Sequence, residues 1–217
     1  MSPVRELRTG LWHWQARHPE WTESQYWPEE VSSYAIDDGE RLLLFDPLAV
    51  PDELLGLAGD REPLIVLTAP WHERGTQRLV ELLGAPVFAP PPDTAQDLME
   101  KFGVTAEQAG DGSPDLAWLR DRDFGRVPDG IESFAGREHN DLVLWVESQR
   151  AVVCGDTLAD FGSGFEIPSE WLRGGVTREQ VVEGLRPLLD KPVELVLPAH
   201  GAPTDRAALE RALSRDD

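Results

Sequence analysis

One stretch, Pro63 to Gly84, constrains this chain more than any other: it reads PLIVLTAPWHERGTQRLVELLG. Leu64 to Leu67 is an unbroken apolar run, long enough for one strand buried on both faces. Leu79, Val80, Leu82 and Leu83 recur at helical spacing, and Gly84 ends the pattern. Strand and helix are joined by a short turn dense in chemistry, Thr68 to Arg74. Turns at the carboxyl ends of buried strands are where α/β proteins place ligands and catalytic groups. Thr68 to Arg74 is therefore expected to line any active site.

The remaining chain offers the same ingredients. Alternation around Trp12 and Trp14 predicts a strand, and Val31 to Asp38 a second, joined by a Trp- and Pro-rich connection containing Trp21, Trp27 and Pro28. That connection reads as a packed flap over a sheet edge, the alternative being that Trp21, Trp27 and Pro28 form the wall of a pocket, and His13 and His18 read as partly exposed strand or loop residues. Asp38-Gly39 is a hairpin signal before a strand at Arg41 to Phe45, which ends in Asp46-Pro47. A helical piece is expected near Asp52 to Ala58, a short strand at Val87 to Ala89, and a helix capped by Asp93 and reaching Phe102. Ala106 to Pro128 reads as a long loop with one helical turn at Leu116 to Leu119. Strands follow at Ile131 to Phe134, Leu142 to Val146 and Ala151 to Val153, then a mobile loop at Phe161 to Pro168. Thr177 caps a helix through Leu189, Glu194 to Leu197 is a last buried strand, and a helix closes the chain.

Composition narrows the function classes. The 217 residues suffice for one sizeable core, read as one domain over 1–217. No apolar run approaches the roughly 20 residues of a membrane helix, and the opening MSPVRELRTG has no signal-type apolar segment, so no membrane partner and a cytoplasmic location are expected. The single cysteine, Cys154, excludes an internal disulfide framework and a cysteine-built zinc site; on a buried strand it reads as core. Forty acidic residues against 20 basic give a net charge of −20, which argues against nucleic acid as a partner. The acidity reads as a solvated surface.

Three junctions, taken together, resemble a family. Strand-Thr-turn-helix at Thr68, strand-Gly155-Asp156-Thr157-Leu158 and strand-Pro198-Ala199-His200-Gly201 look like the metallo-β-lactamase fold superfamily, closest to its hydroxyacylglutathione-hydrolase-like branch. Asp46-Pro47 also matches that family's strand end, and the likeness spans about Leu11 to Leu213. It implies an α/β fold, a four-layer αββα sandwich with a metal-bearing cleft at one edge of the sheets. The family's Thr-His-x-His-x-Asp-His, laid on Thr68 to Arg74, puts Ala69, Trp71 and Arg74 at histidine positions and Glu73 at the aspartate. The next ligand position falls on Arg137, leaving Asp156 as the bridging carboxylate and His200 as the last histidine. Neither Ala nor Trp ligates zinc and Arg stays protonated, so a binuclear site is not expected.

Two arrangements remain open. In one, a single divalent metal such as zinc is held by His72, Asp156 and His200 with Glu73 or His139 assisting, which requires His72 to shift inward by about one register. In the other, preferred from sequence, Arg74 and Arg137 fill the space of the lost ligands and pair with Asp156, leaving a metal-free pocket for a small anionic ligand. The first implies hydrolysis of a small ester, thioester or lactone, with Asp156 or Glu73 orienting the attacking water; the second a non-catalytic binder. Trp71 and Asp141 are further ligand-contact candidates. Asn140 reads as a turn residue, Asp46 as support for the neighbouring loop and Glu166 as a solvated side chain.

Overall fold

The computed structural model describes residues 3–119, 124 and 126–214. Two sheets face each other. The first contains β1 (Arg5–Arg8), β2 (Leu11–Arg17), β3 (Glu30–Asp37), β4 (Arg41–Phe45), β5 (Glu62–Val66) and β6 (Val87–Phe88), adjacent in that order. Pairing is antiparallel through β4, and β4, β5 and β6 run parallel. The second sheet draws on β7 (Ile131–Ala135), β8 (Leu142–Val146) and β9 (Ala151–Cys154); after a small hairpin of β10 (Ala159–Asp160) and β11 (Phe165–Glu166) it gains β12 (Leu195–Pro198) and β13 (Thr204–Asp205). Its order is β13-β12-β9-β8-β7, with β9 and β12 parallel.

The strands obey the period of two. Leu43 and Phe45 of β4 face the second sheet and pack with Leu144, Val146, Val153 and Leu197. Leu42 and Leu44 face outward, against Leu54 of α1 (Asp52–Leu57) and Leu79 of α2 (Thr76–Leu83). On β8, Val143 and Trp145 turn the other way, toward α5 (Arg178–Leu185) and α6 (Arg206–Ala212), whose Val181, Leu185 and Leu209 complete a third core. Three cores between four layers make an αββα sandwich, the architecture that the family resemblance implied. Both faces of each central strand are covered, which is why Leu42 to Phe45 of β4, Leu64 to Val66 of β5 and all of β8 are continuously apolar.

Several boundaries differ from the sequence reading. Thr94, not Asp93, caps α3 (Ala95–Phe102), through a reciprocal box with Asp97. Asp93 instead accepts hydrogen bonds from Lys101 and Asn140. The long loop contains a further helix, α4 (Ala106–Ala109), boxed by Thr105 and Gln108; its residues 120–123 and 125 lie outside the described residues. Phe161 to Pro168 is not a free loop, because β11 pairs back onto β10. The Thr177-capped helix tightens to a 3-10 turn over Arg186–Asp190, where Pro187 removes a backbone donor. His13 is buried, its Nε2 3.0 Å from Ser32 Oγ and its ring stacked on Tyr34, not partly exposed. Among the described residues no helix is long and apolar enough to cross a membrane.

Candidate functional site

The parallel strands aim their carboxyl ends at one place. Asp46 follows β4, Thr68 follows β5, Asp156 follows β9 and His200 follows β12. Cross-sheet hydrogen bonds lock these ends together: Leu142 N donates to Thr68 O at 2.7 Å, Tyr34 Oη to Pro198 O at 2.8 Å and Ser32 N to Ala199 O at 2.8 Å.

After Thr68 the chain makes a 3-10 turn over Pro70–His72, with Pro70 at its first position. The tighter winding rotates His72 inward, where it is 3% exposed. Laid on the family motif His72 is a spacer; in the structure it meets Asp156 and His200. Nε2 of His72 lies 3.1 Å from Asp156 Oδ1, and Nε2 of His200 lies 3.3 Å from the same oxygen. The three ligand atoms all fall within 4.8 Å of one another.

The supporting contacts fix these groups. Asp46 Oδ2 sits 3.0 Å from His72 Nδ1 and accepts from the Thr68 hydroxyl at 2.6 Å, while Asp46 Oδ1 accepts from Thr68 N at 2.8 Å. A carboxylate on the far nitrogen of a histidine sets its tautomer and ring orientation. Asp156 Oδ2 is held by the Trp71 indole at 2.9 Å and by Arg137 Nη2 at 3.3 Å, so Oδ1 is left for the histidines. Arg137 also donates to Asp141 Oδ2 at 2.8 Å and to Trp171 O at 2.5 Å, and stacks on Trp71 and Trp171. Asp141 further accepts from Thr157 Oγ1 and from Asp156 N.

Two glycines permit this density. A Cβ on Gly155 would lie 2.3 Å from Asp141 Oδ1, and one on Gly136 would lie 1.9 Å from Thr157 Oγ1. The backbone is strained where it turns: Asp46 has φ 43° and Arg74 φ 39°, both left-handed and neither glycine.

Electrostatics follows the geometry. Burial works against a charged His72, but Asp46 and Asp156 outweigh it and raise the imidazolium to about 9. Burial likewise opposes ionised Asp156, yet His72 and His200 hold its carboxyl well below the usual range. Burial lowers His200 in spite of Asp156. It pushes Asp141 up to about 6 despite Arg137 beside it.

The sequence-predicted residues are thus redistributed. Arg137 pairs with Asp156, as expected of it, but Arg74 does not: its Nη1 donates to Ser32 O at 3.1 Å and Asp46 O at 3.0 Å. The left-handed turn at Arg74 carries the side chain toward these carbonyls instead. Glu73 is turned away from the cluster, its Oε2 accepting from Leu116 N at 2.7 Å and Trp118 Nε1 at 3.1 Å, so it neither assists a metal nor orients a water there. His139 is exposed and belongs to a separate group with Asp93 and Asp97. Lys101 already fills that group's cation position, paired with Asp93 and Glu138. Asp141 and Arg137, read as ligand contacts, are consumed by internal bonds, and Trp71 contributes its indole N–H to Asp156. Asn140 is buried against Asp93 and Pro91, and Glu166 remains exposed.

An aromatic rim was missed. Trp27, Phe161 and Trp171 stand edge-on to His200 at 4.9, 6.0 and 5.2 Å between ring centres. Only the Trp-rich flap hinted at it; Phe161 and Trp171 carry no periodic signal.

Comparison with known proteins gives the class of fold. The chain matches the solved structure of DIM-1 metallo-β-lactamase with a TM-score of 0.63 and 13% identity, covering 97% of this chain and 94% of that one. TMB-1 matches at 0.58 and 14% identity and VMB-1 at 0.57 and 13%, with the same coverage. The chain has the metallo-β-lactamase fold. No protein-family model matches the sequence, and no curated protein does.

The residues present fit one metal ion and not two. Two imidazoles and a carboxylate oxygen converge, with the far nitrogen of one imidazole already on a carboxylate, which is the donor chemistry of a mononuclear zinc-type site. At the remaining family positions stand Ala69 and Trp71, which offer no ligand, and two guanidiniums.

Proposed function

We propose that this protein is a mononuclear metallohydrolase, with His72, Asp156 and His200 holding a divalent ion such as zinc. The substrate class we assign is a small ester, thioester or lactone, in keeping with the resemblance to the hydroxyacylglutathione-hydrolase-like branch. The observation that carries this reading is the approach of three ligand atoms to within 4.8 Å of one another. Charge supports it. Asp46 and Asp156 both face His72 from opposite sides of its ring, and the raised His72 marks where a positive charge is wanted.

A divalent ion bound here supplies Lewis-acid activation of a water for attack on a carbonyl. The chain does the rest. Asp46 keeps the His72 proton on Nδ1, which frees Nε2 as a ligand. Trp71 and Arg137 hold Asp156 Oδ2 so that Oδ1 keeps its direction, and the rim of Trp27, Phe161 and Trp171 limits access by bulk water. The cationic-pocket alternative is weaker, since Arg137 has no free edge to offer a ligand.

The test is elemental analysis after chelation and reloading with zinc, manganese or iron, joined to an ester and thioester screen. About one metal per chain, lost together with hydrolysis in His200→Ala and in His72→Gln, is the expected result. No metal retained under any loading condition, or an unchanged content in both variants, would overturn the reading.

A further inference from the structure

A row of charges of alternating sign runs inward to the candidate metal centre: Asp93, Lys101, Glu138, Arg137, Asp156. Lys101 Nζ lies 2.5 Å from Asp93 Oδ1, pairs with Glu138 Oε2, and reaches Asn140 Oδ1 at 3.2 Å. Glu138 Oε1 stands 3.4 Å from Arg137 Nη1, and Arg137 Nη2 stands 3.3 Å from Asp156 Oδ2. The side chains of Lys101, Glu138 and Arg137 are only 9%, 7% and 9% exposed. Two indoles stiffen the row. Trp71 has Arg137 at 5.5 Å and Lys101 at 5.7 Å from its ring centre, and Trp171 has Arg137 at 5.5 Å.

Stability is a weak reason for such a row, because buried ion pairs can often be replaced by apolar side chains of similar volume without loss. The distances give another. Arg137 Nε donates to Asp141 at 2.8 Å, an ordinary length for a guanidinium on a carboxylate, whereas 3.3 Å to Asp156 and 3.4 Å to Glu138 are long for charge-assisted contacts. The guanidinium is therefore anchored at Nε and shared at its far end between two carboxylates. Glu138 draws Nη1 away from Asp156, and Lys101, by claiming Glu138, weakens that pull. A guanidinium closed on Asp156 as a bidentate pair would neutralise the one carboxylate among the three candidate ligands, and a divalent ion would have to compete with it.

We propose that Glu138 is a positioning residue for Asp156: by sharing Arg137 it keeps Asp156 Oδ1 negative and open to a divalent ion, and Lys101 sets how strongly it does so. Both act through Arg137. The inference rests on the mononuclear metal reading above and deepens it, adding the outer groups that tune the affinity of the site. Outer partners of metal ligands commonly change affinity by about ten- to a hundredfold.

The experiment measures the zinc affinity of chelator-treated wild type, Glu138→Gln and Lys101→Met by competition with a chromophoric chelator, at constant pH and ionic strength. Circular dichroism of the metal-free proteins checks that each is folded. Lys101→Gln, which keeps a donor for Asp93, takes the place of Lys101→Met if that variant does not fold. Glu138→Gln removes the pull on Nη1, so zinc should bind about tenfold more weakly. Lys101→Met releases Glu138 to Arg137 and removes a cation, so zinc should bind about threefold more tightly or better. The opposite signs separate positioning from damage, since a row that merely braced the site would weaken binding in both variants. Unchanged affinity in Glu138→Gln, or unchanged or weaker binding in the Lys101 variant, would overturn the proposal and leave the metal site standing. A wild type that takes up no zinc would instead sink the metallohydrolase reading, and the proposal with it.

Discussion

Chelator-treated protein should lose stability as pH rises from 6.5 to 9, and His72 should be the cause. Its ring lies between Asp46 and Asp156, which raise it from the ordinary 6.5 to about 9. The native state therefore keeps a proton that the unfolded chain releases near 6.5. The resulting stabilisation is fully present below 6.5 and is lost as pH climbs through about 9. At about 1.4 kcal/mol per pH unit, the displacement is worth at most about 3.5 kcal/mol. For a chain of this size that is a fall in Tm of about 10 °C. Asp141, which titrates near 6, lies below the window and does not mask the effect. Scanning calorimetry at constant ionic strength on wild type and His72→Gln would measure it, with the variant's profile expected to be flatter. Parallel profiles for the two proteins would refute the argument, since the slope would then belong to other groups. Metal-loaded protein should show little of this decline, because a divalent ion on Nε2 takes the place of the proton.

Two other substitutions probe the frame around the site. Gly155→Ala puts a Cβ 2.3 Å from Asp141 Oδ1 and 2.9 Å from Thr68 Oγ1, so it should destabilise by about 1–3 kcal/mol in urea denaturation and reduce metal retention as Asp156 shifts. Wild-type stability in that variant would mean the loop yields freely. Tyr34→Phe removes the hydroxyl that donates to Pro198 O and should cost about 1–3 kcal/mol by the same assay, with little change in site chemistry.

The fold was legible where one periodicity dominated. Leu64 to Leu67 and the Leu79 to Leu83 face fixed a buried strand and its packed helix, while Asp46, Asp156 and His200 were reached through the family resemblance carried by Asp46-Pro47, Gly155-Asp156-Thr157-Leu158 and Pro198-Ala199-His200-Gly201. What failed were judgements about side-chain direction inside turns. His72 is inside and Glu73 outside because Pro70 begins a 3-10 turn, and a one-residue change of winding moves every side chain after it. Arg74 misses Asp156 because its backbone is left-handed, a conformation no residue pattern announces for arginine. The Asp93 cap failed for a similar reason: Thr94 is an equally good capping residue, and a tertiary partner, Lys101, had a stronger claim on the aspartate.

The site residues come from opposite ends of the chain. His72 and Asp156 are 84 residues apart, Tyr34 and Pro198 are 164 apart, and Ser32 and Gly201 are 169 apart. No fragment containing one sheet can assemble the cluster, and closing loops of this length is a late and slow event in folding. Whatever binds there acts as a clasp: its binding free energy is added to the docking of one sheet on the other. Occupancy should then govern how often the sandwich gapes open in the native state. Amide exchange along β3 and β12 would slow on loading, while the outer helices α5 and α6 would exchange much as before.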